Sequence, residues 1–270
     1  MKKTLIALMA LAGAACGAEL VTELKLDGNF SDTQNNISFN TTEVGQMTWG
    51  TESPIAGSDG YLTSSNGKAV WDGDFATVPS NQNFAITLFV NPNSYLTFSQ
   101  NGNTNAVPGW AAQWFIGGGT TGDSGIKLGI GVDGQVKLDI KNKFSFASGS
   151  DNVITLNEWT QVGLAVTQNE GTSTYAYTLF INGEAVASID KDVTANWRDG
   201  NFAILEGADY VVNNKRFDGS VDEIQFYNVT DLADATAVMQ AQASRIIPEP
   251  ATATLSLLAL CGLAARRRRK

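Results

Sequence analysis

The central part of the chain alternates apolar and polar residues in short runs separated by turn residues, a pattern typical of β-strands. Two of the turns contain Asp133-Gly134 and Asn182-Gly183. Both dipeptides suit the tight primed turns of β-hairpins. The number and spacing of the runs predict an all-β sandwich of two antiparallel sheets. The predicted strands cover residues 20–27, 84–90, 126–130, 136–140, 159–167, 175–181, 184–189, 202–206 and 221–227.

One helix is predicted, over residues 232–244, where apolar residues recur at helical spacing. Thr230 or Asp231 precedes it as the N-cap. Its apolar face is narrow, so we expect this short C-terminal helix to pack on an edge of the sandwich. No linker interrupts residues 19–245, which predicts a single domain.

The N-terminus has the layout of a secretory signal peptide. Two lysines precede an apolar run over residues 4–15, and small residues follow it. We predict a signal peptide over residues 1–18, cleaved between Ala18 and Glu19. Lipidation of Cys16 is the alternative, although Gly13 stands where a lipidated cysteine is usually preceded by a larger aliphatic residue.

The C-terminus has three parts: Pro248-Glu249-Pro250, an apolar run over residues 251–265, and a basic end. Fifteen helical residues span about 22 Å, less than the hydrocarbon core of roughly 30 Å. Snorkelling arginines can cover part of the difference. We therefore predict a short transmembrane segment over residues 251–265, with its basic end in the cytoplasm.

This C-terminal end, residues 246–270, closely resembles the PEP-CTERM sorting signal of exported bacterial proteins. The resemblance implies recognition by an exosortase-type membrane protease. It also implies at least transient anchoring in the membrane, followed by residence in the cell envelope, at the cell surface or in the extracellular matrix. The residues that match the signal are Pro248, Glu249, Pro250, Arg266, Arg267, Arg268 and Arg269.

Charge and composition narrow the possible functions. Residues 19–247 hold eleven Lys and Arg against twenty-six Asp and Glu, which argues against nucleic acids and anionic membranes as partners. The composition is compatible with cations and neutral glycans. The chain contains no histidine, which excludes catalysis by histidine and zinc sites with histidine ligands. Both cysteines lie in the two ends, so the exported region has no disulfide.

Five motifs in order resemble the LamG-like, concanavalin A-like jelly-roll family. They are GKAVWDG (67–73), FAITLFVNP (84–92), NEWTQVGLAVT (157–167), YTLFINGEAVAS (177–188) and FDGSVDEIQFYNV (217–229). The resemblance implies a jelly roll over residues 20–243 and a structural calcium ion with Asp222 among its ligands. Asp27 is a candidate companion, because the terminal strands of this fold usually pair. The alternative is that Asp222 only accepts hydrogen bonds from the main chain.

Glycan chemistry has few candidates in the sequence. The E-x-D-x-E pattern, which places the two carboxylates of retaining glycosidases on one strand face, does not occur. Trp110, Trp114 and Trp197 lie in loop-rich stretches and are candidates for stacking on sugars. Trp114 can instead begin a strand and pack inward. Trp71 and Trp159 belong to the family motifs, and we expect both in the core.

Three functional hypotheses remain open on the sequence alone. The first is an exported, non-catalytic surface module that binds a polysaccharide, a glycoprotein or another protein. The second is a structural protein of the exopolysaccharide matrix without a discrete ligand. The third, which we favour least, is a glycan-degrading enzyme.

Overall fold

The computed structural model describes residues 17–34, 37–38, 41–71, 83–95, 112–117, 125–131, 133–140, 143–193, 202–205 and 217–247. Within these ranges the chain forms fifteen strands and one helix. They are β1 (Glu19–Leu24), β2 (Ser31–Asp32), β3 (Ile37–Ser38), β4 (Thr41–Thr51), β5 (Gly60–Trp71), β6 (Phe84–Pro92), β7 (Gln113–Gly117), β8 (Ile126–Ile130), β9 (Val136–Ile140), β10 (Phe144–Ala147), β11 (Thr160–Gln168), β12 (Tyr175–Ile181), β13 (Glu184–Lys191), β14 (Phe202–Ile204), β15 (Asp218–Asn228) and α1 (Leu232–Ala243).

The strands form a β-sandwich, as predicted. Antiparallel hydrogen bonding runs in the order β10-β9-β8-β7-β14-β5-β15-β6-β11-β12-β13, with β4 added on β5 and β1 on β15. Phe144 of β10 and Tyr177 of β12 come from distant positions in this order, yet their ring centroids lie 4.9 Å apart. The hydrogen-bonded strands therefore fold over into two layers, with the apolar core between them.

Both predicted hairpins are present, but only Asn182-Gly183 forms the predicted primed turn, because residues 131–135 all lie between β8 and β9 and Asp133 has no positive φ angle. β12 and β13 are joined by Asn182 and Gly183, with φ angles of 50° and 81°. Two successive positive φ angles define the primed turn that suits the twist of a hairpin. β8 and β9 pair from Ile130 opposite Val136 outward, and the Asp133 carboxylate accepts a hydrogen bond from the Gln135 main-chain N–H at 3.2 Å.

Helix α1 begins where predicted, and the Asp231 carboxylate accepts a hydrogen bond from the Asp234 N–H at 2.9 Å as the N-cap. The helix lies towards the end of the strand order, where it contacts the terminal strand β13 as well as two interior strands. Val238, Met239 and other apolar residues of the helix pack on the outer face of the interior strands β6 and β11. The reason is a set of small side chains on that face. These are Ala85, Gly163 and Ala165.

The terminal strands pair as expected, with Glu19 opposite Asn228 and Leu24 opposite Ile224. The packed chain continues past the helix, because Ile246 forms an antiparallel bridge with Ile55. No helix within the described ranges is long and apolar enough to cross a membrane. The predicted segment 251–265, the sorting motif and Cys16 lie outside those ranges.

Candidate functional site

A buried carboxylate on β15 is the centre of the candidate site. Asp222 is fully buried, and its Oδ2 accepts a hydrogen bond from the Ser53 hydroxyl at 2.5 Å. Its Oδ1 is also buried and has no hydrogen-bond partner. An unpartnered buried oxygen of this kind is costly and calls for an explanation, such as an ion.

A second carboxylate, Asp27, follows β1 and is held by residues 53–59, the loop that also contains Ser53. The Asp59 N–H and the Ser58 hydroxyl each lie 3.1 Å from Asp27 Oδ1. The Ser58 hydroxyl and the Asp27 charge also act electrostatically on Asp222. The structure therefore brings together the two acidic residues that the sequence analysis selected, beneath residues 53–59.

Burial raises the pKa of the Asp222 carboxyl from 3.8 to about 8. That value already includes smaller raising effects of the Glu223 and Asp27 charges and the opposing effects of the Ser53 and Ser58 hydroxyls. Without a cation, Asp222 therefore holds a proton at neutral pH.

Left-handed backbone conformations flank this cluster. Leu26, Glu52 and Glu223 have φ angles of 58°, 63° and 45°. They are the chain neighbours of Asp27, Ser53 and Asp222, respectively. Such conformations cost about 1–3 kcal/mol each and tend to persist at functional sites. At Glu223 the strained residue coincides with the irregular pairing of β15 and β6 between Asp222 and Gln225.

The opposite side of the loop is fixed by the chain that follows α1. The Arg245 guanidinium forms a two-pronged ion pair with Glu223, which is fully buried. Main-chain hydrogen bonds join Ala56 N–H to the Arg245 carbonyl at 2.8 Å and Ile247 N–H to the Pro54 carbonyl at 2.9 Å. Sequence analysis missed Ser53, Ser58 and this ion pair, because such distant contacts leave no local signal.

The available donors suit a hard cation. They are the carboxylates of Asp222 and Asp27 and the hydroxyls of Ser53 and Ser58, and all are oxygens. Calcium takes oxygen ligands, including main-chain carbonyls. Within the described part of the chain, no three Asp, Glu, Cys or His side chains converge on one point. A calcium ion here would therefore use hydroxyl or main-chain oxygens as well as the two carboxylates.

The predicted sugar-stacking tryptophans have different outcomes. Trp114 is only 4% exposed and packs inward, the alternative that the sequence left open. Its side chain lies against Gly129. Trp110 and Trp197 lie outside the described residues. The Trp71 side chain is also undescribed, whereas Trp159 is half-buried rather than in the core.

Two aromatic pairs reach the surface, and their members Trp49, Phe30 and Tyr61 were not singled out from the sequence. Trp49 is 37% exposed and contacts Phe30, with ring centroids 4.9 Å apart. Tyr61 and Trp159 meet edge to face, with centroids 5.5 Å apart. A period-two pattern of Tyr61, Thr63 and Ser65 in the sequence could have indicated a polar, aromatic strand face.

A family model, Laminin_G_3, described as the concanavalin A-like lectin/glucanases superfamily, matches residues 56–234. The comparison with curated proteins gave no match. The matched range includes all five motifs that indicated this family.

Solved structures show the same fold at low sequence identity. Domain 4 of AbnA, a GH43 extracellular arabinanase from Geobacillus stearothermophilus, solved in complex with arabinotriose, aligns with a TM-score of 0.59 and 16% identity, covering 83% of this chain and 98% of that one. The binding domain of Paraclostridial Mosquitocidal Protein 1 aligns at 0.55 and 14%, covering 82% and 51%. A botulinum neurotoxin type C structure titled for ganglioside-dependent cell entry aligns at 0.53 and 14%, covering 83% and 51%. The chain thus spans about half of each toxin chain.

Proposed function

Because the chain belongs to the concanavalin A-like lectin/glucanases superfamily, we propose that it is a non-catalytic, exported module that binds a glycan or a glycoprotein. The observation that carries this proposal is the match to nearly the whole of a domain solved with arabinotriose. The toxin neighbours support the same class of function, because one is a binding domain and the other enters cells through interaction with gangliosides.

The test is binding of the purified full chain to an array of neutral and anionic oligosaccharides, with reducing ends assayed after incubation. We expect saturable binding without release of new reducing ends. Turnover of any glycan would contradict the non-catalytic assignment. Absence of binding to any glycan or glycoprotein would contradict the binding function and favour a structural matrix protein.

A structural calcium ion is the second part of the proposal. The support is the unpartnered, buried Oδ1 of Asp222 beside a second carboxylate and two hydroxyls. These oxygens belong to β15, to the chain after β1 and to residues 53–59, so a cation would link the first and last strands to this loop. It would supply the positive charge that a strongly acidic domain lacks at this point.

Thermal unfolding of the full chain in chelator and in millimolar calcium tests this site. Calcium at a hundredfold excess over Kd should add about 2.7 kcal/mol, and Asp222→Asn should abolish the gain. Asp59→Asn is a matched control, because it removes an exposed carboxylate from the same loop. No calcium-dependent gain, or an equal gain in Asp222→Asn, would leave Asp222 as an ordinary hydrogen-bond acceptor.

We further propose that the tail beyond Ile247 directs sorting and membrane attachment. Its support is the order of the Pro-Glu-Pro motif, the apolar run and the arginine cluster. Deletion of residues 248–270 should release the protein from membranes in cell fractionation. If the shortened chain still sediments with membranes, lipidation of Cys16 becomes the better explanation.

A further inference from the structure

The outer face that carries α1 is divided into two parts of different character. Where the helix lies, the strands present small or apolar side chains, and Met239 packs directly over Gly163. The other part is formed by β4, β5, the first half of β15 and the end of β6. Its outward positions carry polar and aromatic side chains, many of them exposed or half-exposed.

The strand register shows how this second part is arranged. Thr48 lies opposite Thr63, Thr63 opposite Ser220, and Ser220 opposite Asn91. Directly paired residues of antiparallel strands point to the same face. The four side chains therefore form a row across β4, β5, β15 and β6. Thr48 is exposed and the other three are half-exposed.

Two aromatic rings border this row. Tyr61 lies two residues from Thr63 on the same face of β5, and its ring covers Gly50, where a Cβ would come within 2.2 Å of it. Thr160 pairs with Val90, so the preceding Trp159 lies on the face of Asn91. We call Thr63, Ser220, Asn91, Tyr61 and Trp159 the aromatic trough.

The polar groups of the trough suit hydroxylated, uncharged ligands. The Thr63 and Ser220 hydroxyls lie 2.8 Å apart, and the Asn91 Oδ1 is buried without a partner. Rotation of that amide would offer the oxygen to a ligand hydroxyl, which is favourable because an unpaired buried acceptor is costly. Asp218, an acidic side chain on this face, already accepts hydrogen bonds from Asn93 and Ser94.

We propose that the aromatic trough binds a neutral sugar, with the Tyr61 and Trp159 rings against the apolar C–H surface of the pyranose or furanose and the row of hydroxyl and amide groups on its hydroxyls. This inference rests on the proposed glycan-binding function and assigns it a place. The strong negative charge of the domain disfavours an anionic sugar. Neither calcium-site carboxylate belongs to the trough.

The test uses the purified full chain on immobilised neutral arabino-, xylo-, gluco- and galacto-oligosaccharides, with alginate as an anionic counterpart. We expect Trp159→Ala and Tyr61→Ala to lower affinity for the neutral probe at least tenfold. Thr63→Val and Ser220→Ala each remove one half-exposed hydroxyl and should lower affinity severalfold while preserving the fold. These two variants keep the inference testable if an aromatic variant fails to fold.

Trp49→Ala is the matched control, because it removes an exposed tryptophan of β4 that contacts Phe30 and lies outside the trough. It should leave affinity within twofold. Unchanged binding in Trp159→Ala, Thr63→Val and Ser220→Ala would overturn the trough while leaving glycan binding intact. Absence of glycan binding by the unaltered chain would overturn both the proposed glycan-binding function and the trough. Tighter binding to alginate than to the neutral probes would overturn the proposal that the ligand is a neutral sugar.

Discussion

Replacing Asp222 by asparagine should change how stability depends on pH. The pKa of this carboxyl is raised from 3.8 to about 8 by burial, by Glu223 and by Asp27. Between these two pH values the unfolded chain releases the proton that the folded chain retains. The stability of the metal-free protein should therefore be greatest below about pH 4, fall as the pH rises, and level off above about pH 8.

The size of the effect follows from the pKa shift. At about 1.4 kcal/mol per pKa unit, the shift corresponds to a loss of about 6 kcal/mol between pH 4 and pH 8. Asparagine removes this titration but leaves an amide N–H without a partner, at a cost of about 1–3 kcal/mol. In chelator at pH 8, Asp222→Asn should therefore be more stable than the unaltered chain by at least about 3 kcal/mol. At pH 4 it should be equally stable or less stable.

The assay is thermal unfolding of both proteins in chelator at pH 4, 6 and 8. At about 2–4 °C per kcal/mol for a domain of this size, asparagine should raise the melting temperature by about 6–12 °C at pH 8. Millimolar calcium should stabilise only the unaltered chain and so reduce the difference in melting temperature between the two proteins. If the two proteins respond to pH in parallel without calcium, Asp222 does not carry the titration and the reasoning fails.

Residues 19–247 contain no cysteine, so we expect this fragment to fold alone with a melting temperature that does not change in dithiothreitol; failure to fold, or a large decrease with reductant, would contradict this expectation. Arg245→Met leaves the buried Glu223 without its cation, and urea unfolding should show a loss of about 3 kcal/mol. Gly163→Ala places a methyl group 2.2 Å from Met239 Sδ and should cost about 1–2 kcal/mol. Adding Met239→Ala should then cost less than the two separate losses combined, and additive losses would mean that the two residues do not interact.

The parts of the fold that sequence analysis predicted are those with local signals. Asn182-Gly183 and Asp231 act on their immediate neighbours, so the hairpin and the helix start could be read directly. Strands β4 and β5 were missed, although they are among the longest in the sandwich. On the outer face of β5, tyrosine, threonine and serine stand in place of the aliphatic residues that usually mark a strand. Strand β4, which precedes β5 and pairs with it, shows no clearer alternation of apolar and polar residues.

The candidate site was predicted in part for the same reason. Pairing of the first and last strands is a property of the whole fold, so Asp27 and Asp222 could be placed near each other. Ser53 lies 169 residues from Asp222 and resembles any serine in a turn. The helix was assigned to an edge because its own pattern shows only a narrow apolar face. The small residues of β6 and β11 that receive it are recognisable only once those strands are neighbours.

The calcium site and the aromatic trough share strand β15, which links their behaviour. Ser220 and Asp222 lie two residues apart on the same face, and Tyr61 directly precedes the β5 residue Leu62, the partner of Val221. A cation that orders Asp222 and residues 53–59 would therefore also restrict Tyr61, although it would touch no sugar atom.

Coupling free energies between sites are typically about 1–3 kcal/mol, or 5–150-fold in affinity. Sugar affinity should therefore fall in chelator, and by reciprocity sugar should tighten calcium binding by the same factor. Equal sugar affinity with and without calcium would show that Tyr61 is fixed by Gly50 and Trp159 alone.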